Sequence, residues 1–84
     1  MYYILFTTTT CPKCPSFKKV VLDMAKIDGE IIDEMSGKFL NLATRFGVMN
    51  APTFIAFKDD SLNEEVFRCS EEYELKKFLE NNKI

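Results

Sequence analysis

The chain has no histidine and no tryptophan among its 84 residues. Without histidine it lacks the side chain that most often serves as a general base near neutral pH, and the commonest metal ligand goes with it. Glycine and proline are sparse, at three each, and no repeat, low-complexity tract or linker is visible. Long apolar runs are missing too. The stretch "YYILF" near the start is far too short for a signal-peptide core or a membrane span, and no basic segment precedes it. A cytoplasmic chain without a membrane partner is expected. Neither sign of charge dominates: the net charge is −2, with acids and bases interleaved. No basic face or arm suggests nucleic acid, and no acidic tail suggests a solvating segment. The three cysteines are an odd number, whereas small disulfide scaffolds usually carry four, six or eight.

What is present describes a packed domain. Hydrophobic residues make up 46% of the chain, about what a globular core needs, and the length implies one domain over 1–84. "MYYILF", bounded by four threonines, predicts a buried strand over about residues 2–7. Phe17, Val20, Val21 and Met24 fall at helical spacing and predict an amphipathic helix over about 12–26, stopped by Asp28-Gly29. "EIIDE" predicts a second strand. Ser36 is the expected cap of a helix whose apolar face is Phe39, Leu42, Ala43 and Phe46, with Gly47 as a left-handed end. "PTFIAF" and "EEVFR" flank the turn chemistry of "KDDSLN" and predict an antiparallel hairpin. Ser70 is the expected cap of a last helix, with Glu71 and Glu72 in its first turn and Leu75, Phe78 and Leu79 buried. The order β-α-β-α-β-β-α is an α/β class. Its alternating units favour parallel pairing over the first three strands, and the hairpin adds an antiparallel edge. A four-stranded mixed sheet with helices on both faces follows.

The chemistry lies in "TTTTCPKCPSFKKVV". Cys11 is placed where the first strand hands over to the helix, with Pro12 suited to the first helical position because its missing N–H would be unpaired there. The Cys11 sulfur then faces free backbone amides, which favour its anion. Lys13, Lys18 and Lys19 add positive charge nearby. A free thiol of pKa about 8.5 is a few per cent thiolate at neutral pH, and lowering it to about 7 makes it half thiolate. That shift is about 2 kcal/mol, the size a partly buried helix terminus supplies, so no histidine is required. One helical turn on, Cys14 is positioned to attack a mixed disulfide formed on Cys11. Pro15 complicates this, since residues before proline avoid helical dihedrals; the regular helix is expected to start near Pro15. A closed zinc site wants four ligands, and Cys11, Cys14 and Cys69 are three. Two inert core cysteines fit poorly with an exposed turn containing Lys13 and prolines. Cys69 reads as an ordinary strand-end residue, or as a modifiable thiol if exposed.

"NAPTF" is a second clue. Pro52 opens a strand, either as an ordinary trans proline or in cis, where it would present the Ala51 backbone as an open edge for an extended substrate. Phe6, Met49 and Pro52 are the expected apolar rim of such a groove.

"CPKC" after a first strand, "FGVMNAPTFIAFKDD" in the middle and "ELKKFLENN" at the end resemble, in order and spacing, the thioredoxin superfamily. The resemblance implies the thioredoxin fold and a thiol–disulfide oxidoreductase. It implies Cys11 as attacking thiol, Cys14 as resolving thiol and Pro52 as a cis-proline, with Pro12, Lys13, Ala51 and Pro52 at the substrate-binding positions. It implies protein disulfides as substrates, a thioredoxin reductase or glutathione as electron donor, no cofactor and a monomer. The Pro after the first cysteine is similar to glutaredoxins. Three positions depart from the pattern: Thr10 stands where thioredoxins carry Trp, Leu5 where they carry a buried Asp, and "RCSEE" where glutaredoxins carry a Gly-Gly pair and an Asp that hold glutathione. The rival readings are a peptide-docking module without turnover, and metal or iron–sulfur binding through Cys11 across a dimer.

Overall fold

The structure, a computed structural model, describes residues 1–82. The chain runs β1 (Tyr2–Phe6), α1 (Cys14–Met24), β2 (Asp28–Ile32), α2 (Phe39–Phe46), β3 (Thr53–Phe57), β4 (Glu65–Cys69) and α3 (Glu72–Asn81). The strands form one sheet in the order β2-β1-β3-β4. β1 and β2 are parallel, whereas β1–β3 and β3–β4 are antiparallel.

The sheet is central because its middle strands are apolar on both sides. Tyr3 and Leu5 face one way and pack with Phe17 and Val21 of α1, Phe54 and Ala56 of β3, and Leu75 and Leu79 of α3. Ile4 and Phe6 face the other way, onto Ile55, Phe57 and Ala43 of α2. Alternation at period two therefore feeds two cores, and the helical faces read from spacing are the ones buried. Phe67 and Phe78 stack at 4.1 Å between ring centroids, closing the α3 side over β4.

Several expectations need correction. β3 is antiparallel to β1; it is not a third parallel strand. α2 is only eight residues long, although its end at Gly47 (φ 65°) is left-handed as expected, turning the chain back toward the end of the sheet it had left. α1 starts at Cys14, so Pro12 lies outside it, and Pro15 takes the early helical position where a missing N–H is harmless. Asp28 and Gly29 do not stop the helix; they open β2. Gly29 pairs with Tyr3 across the parallel ladder, and a Cβ built on it would clash with both the Tyr3 ring and the Tyr3 carbonyl oxygen. The glycine is thus demanded by the ring and backbone of its strand neighbour, not by a turn. Neither Ser36 nor Ser70 caps a helix. Ser36 sits in a turn, its amide bonded to the Asp33 carbonyl at 2.9 Å. The Ser70 hydroxyl lies 3.3 Å from that of Thr53 instead.

Candidate functional site

One end of the sheet collects all the unusual residues. Phe6, the last residue of β1, pairs with Ile32 on one side and Thr53 on the other, and Phe54 pairs with Cys69. The segments 7–13, 33–36, 51–52 and 70–71 therefore emerge together. This is the carboxyl end of the parallel pair, the usual location of sites in open α/β sheets.

The chain leaves β1 under firm control. The Thr7 amide and hydroxyl both donate to the Ile32 carbonyl, each at 2.9 Å. The Thr9 amide donates to both carboxylate oxygens of Glu34, at 2.8 and 3.2 Å. The Cys11 amide donates to the Thr8 carbonyl at 3.3 Å. The loop thus reaches α1 already shaped, and Cys11 and Cys14 are joined as a disulfide with their Cα atoms 5.4 Å apart.

The start of α1 is chemically bare. No side chain caps it and its first turn holds no acid, so its orphan amides are open to an anionic partner. One is already aimed: the Cys14 N–H donates to Cys11 Sγ at 3.1 Å. The two sulfurs differ in access. Cys14 is 3% exposed, whereas Cys11 is half-buried. A cleft against the pair is lined by Thr7–Thr9, Pro15, Lys18 and Asp33.

The remaining predicted positions sort as follows. Pro12 and Lys13 are exposed beside Cys11. Ala51 is half-buried and Pro52 is buried, and the peptide between them is cis. The Thr53 hydroxyl holds this corner, donating to the Asn50 carbonyl at 2.7 Å. Phe6 is not a rim residue: it is fully buried and meets Phe39 edge-on at 5.8 Å, because the even positions of β1 face the α2 core. Met49 is exposed at 91%. Cys69 is buried and free, which leaves it closed to modification. Arg68 turns away from the cysteines: its guanidinium grips the Glu65 carboxylate and donates to the Phe46 carbonyl at the end of α2.

Nothing in the amino-acid sequence marks Asp33 and Glu34 as site residues. Their approach to the cysteine loop spans 25 positions for the Thr9–Glu34 bond, and nothing local to "EIIDE" marks it. Among the described residues no group of three or more His, Cys, Asp or Glu side chains could hold a metal ion. No helix of the described residues is long and apolar enough to cross a membrane.

No family model matches the chain. A probable thioredoxin of Archaeoglobus fulgidus is 35% identical over 54 residues, a stretch that covers 61% of this chain and 59% of that relative. Among solved structures, thioredoxin O2 from Arabidopsis thaliana in its oxidized state superposes with a TM-score of 0.80 at 20% identity, over 96% of this chain and 73% of that one. Fasciola hepatica thioredoxin does so with a TM-score of 0.73 at 20% identity, over 98% and 80%. A structure described as a malarial protein has a TM-score of 0.68 at 20% identity, over 99% and 97%.

Proposed function

We propose that this chain, which has the thioredoxin fold along its described length, is a thiol–disulfide oxidoreductase of the thioredoxin superfamily that reduces protein disulfides through Cys11 and Cys14. The observation that carries the reading is the bonded pair at a bare helix start, one sulfur accessible and the other buried behind it.

The steps balance as two-electron exchange. The Cys11 thiolate attacks one sulfur of a substrate disulfide, and the other substrate sulfur leaves as a thiolate. Cys14 then attacks Cys11 Sγ, losing its thiol proton as it does so. The Cys11–Cys14 bond forms, the bond to substrate breaks, and the second substrate sulfur departs with its electron pair. The substrate has gained two electrons and the protein has lost two. The buried sulfur is suited to the second step because it is shielded from outside disulfides, while the Cys14 amide and its neighbours stabilise charge on the outer one. Ala51 and Pro52 are the corner where an extended substrate chain would pair in β fashion, and Pro12 and Lys13 flank its approach.

The protein disulfide formed must be reduced again. A thioredoxin reductase suits this surface better than glutathione. The first turn of α3 at the same end carries Glu72 and Glu74, which disfavour a tripeptide with two carboxylates. In this reading the chain works as a cytoplasmic monomer of one domain.

Insulin reduction with dithiothreitol tests the proposal. The wild type is expected to accelerate precipitation catalytically. Cys11→Ser should fall to the uncatalysed rate. Cys14→Ser should accumulate a mixed disulfide through Cys11, visible as a mass increase lost on reduction. A Cys11→Ser protein that still turned over would refute the assignment of roles, and a wild type without turnover would leave a docking module.

A further inference from the structure

The buried sulfur poses a problem of proton transfer. Cys14 is 3% exposed, and burial favours the neutral thiol. It must nevertheless lose its proton to attack. The cleft that reaches it contains one carboxylate, Asp33, and one ammonium, Lys18. Resting on the oxidoreductase reading above, we propose that Asp33 accepts the Cys14 proton, through a water in this cleft, while the Cys11–Cys14 bond forms.

Four observations converge on Asp33. It follows directly on β2, whose last residue pairs with the last residue of β1, so the register brings it to the cysteine loop. It is only half-exposed. One of its oxygens, Oδ1, accepts the Met35 amide at 2.8 Å; among the described residues Oδ2 has no hydrogen-bond partner. The competing carboxylate, Glu34, is bound by the Thr9 amide. Lys18 lies four residues after Cys14 on α1, on the same face of the helix, and its charge favours the sulfur anion as it forms. Other charged groups near Cys14 are arranged differently. Lys13 precedes it in the loop, and Glu71 and Glu72 line a separate cleft with Ser16 and Phe17. Glu72 is bonded to the Ser16 hydroxyl.

The proton balance is closed. Cys14–SH gives its proton through water to the Asp33 carboxylate as its sulfur bonds to Cys11. The substrate sulfur leaves as a thiolate and takes that proton back by the same route. No outside oxidant or acid is consumed, and the transfer is concerted with bond formation because a carboxylate is a much weaker base than a thiolate.

The test separates the two steps with 5,5′-dithiobis(2-nitrobenzoic acid). Attack by Cys11 releases one thionitrobenzoate, and resolution by Cys14 releases the second. In stopped flow, Asp33→Asn should slow the second release at least tenfold between pH 6 and 7.5, and leave the first within twofold. The deficit should shrink at higher pH, where hydroxide takes over. Asparagine keeps an acceptor for the Met35 amide, so the turn is retained. Asp33→Glu should recover the second release to within threefold of wild type. An unchanged second release in Asp33→Asn, an equal slowing of both, or an Asp33→Glu protein as slow as Asp33→Asn would each overturn the proposal. Failure of the underlying reading looks different: the wild type itself would release no second equivalent, or Cys14→Ser would release it as fast as wild type.

Discussion

Cys69 closes β4 with its side chain 5% exposed, and burial, reinforced by the nearby Glu74 charge, pushes its thiol up to about 12. In the unfolded chain the same thiol ionises near about 8.5. Between those two values the folded protein keeps a proton that the unfolded chain has lost, so stability should fall as pH rises through that window. The buried Tyr3 phenol, also held above its usual range by burial, acts in the same direction. Urea midpoints between pH 7 and 11 are expected to fall more steeply for wild type than for Cys69→Ala. In the reduced native protein, iodoacetamide should label Cys11 rapidly and with a midpoint below that of free cysteine, and should leave Cys69 unlabelled until denaturant is added. The roles of these residues were legible to different degrees. The CxxC spacing marks Cys11 and Cys14 in one dimension. Burial of Cys69 and inward rotation of Phe6 depend on which face of a strand meets which helix. Spacing alone leaves that choice open.

At the scale of elements, helices and strands were legible wherever periodicity was strong, and their ends were not. The apolar faces of α1, α2 and α3 pack as spacing requires. The serines expected to cap are used elsewhere, because a hydroxyl bonds whichever group the tertiary structure brings near. Gly29 shows the same limit. Beside Asp28 it reads as a turn, yet it lies in β2 under the Tyr3 ring. Tyr3 is stacked on Phe54 at 5.4 Å and has little freedom to yield. Gly29→Ala should cost about 1–3 kcal/mol. At about 4–8 °C per kcal/mol for a domain of this size, a thermal melt will register it clearly. Arg68→Met removes the donor to the Phe46 carbonyl and the grip on Glu65. The ion pair is solvent-accessible, so the expected loss is small, about 0.5–1.5 kcal/mol. Redox activity should be unaffected, since Arg68 braces the end of α2 and is turned away from the cysteines.

For the whole molecule, one sheet separates two cores, and β1 feeds both. Ile4 and Leu5 are adjacent, each fully buried, on opposite faces. Replacing either with alanine should cost about 2–5 kcal/mol, a large share of the 5–15 kcal/mol typical of a domain. Fluorescence and circular dichroism should still report one coincident unfolding transition in each variant, because a shared strand couples the two cores; two separate transitions would contradict that coupling. Local pattern in the chain was enough to specify the class of fold, the number of strands and helices, the apolar faces and the paired cysteines. Each of these rests on residues within a turn or two of one another. The tertiary structure alone decided that β3 reverses against β1, that Glu34 pins the loop before Cys11, and that Asp33 shares a cleft with the buried sulfur. Those meetings join residues far apart in the chain, and they depend on strand direction and register, which no short stretch of residues encodes.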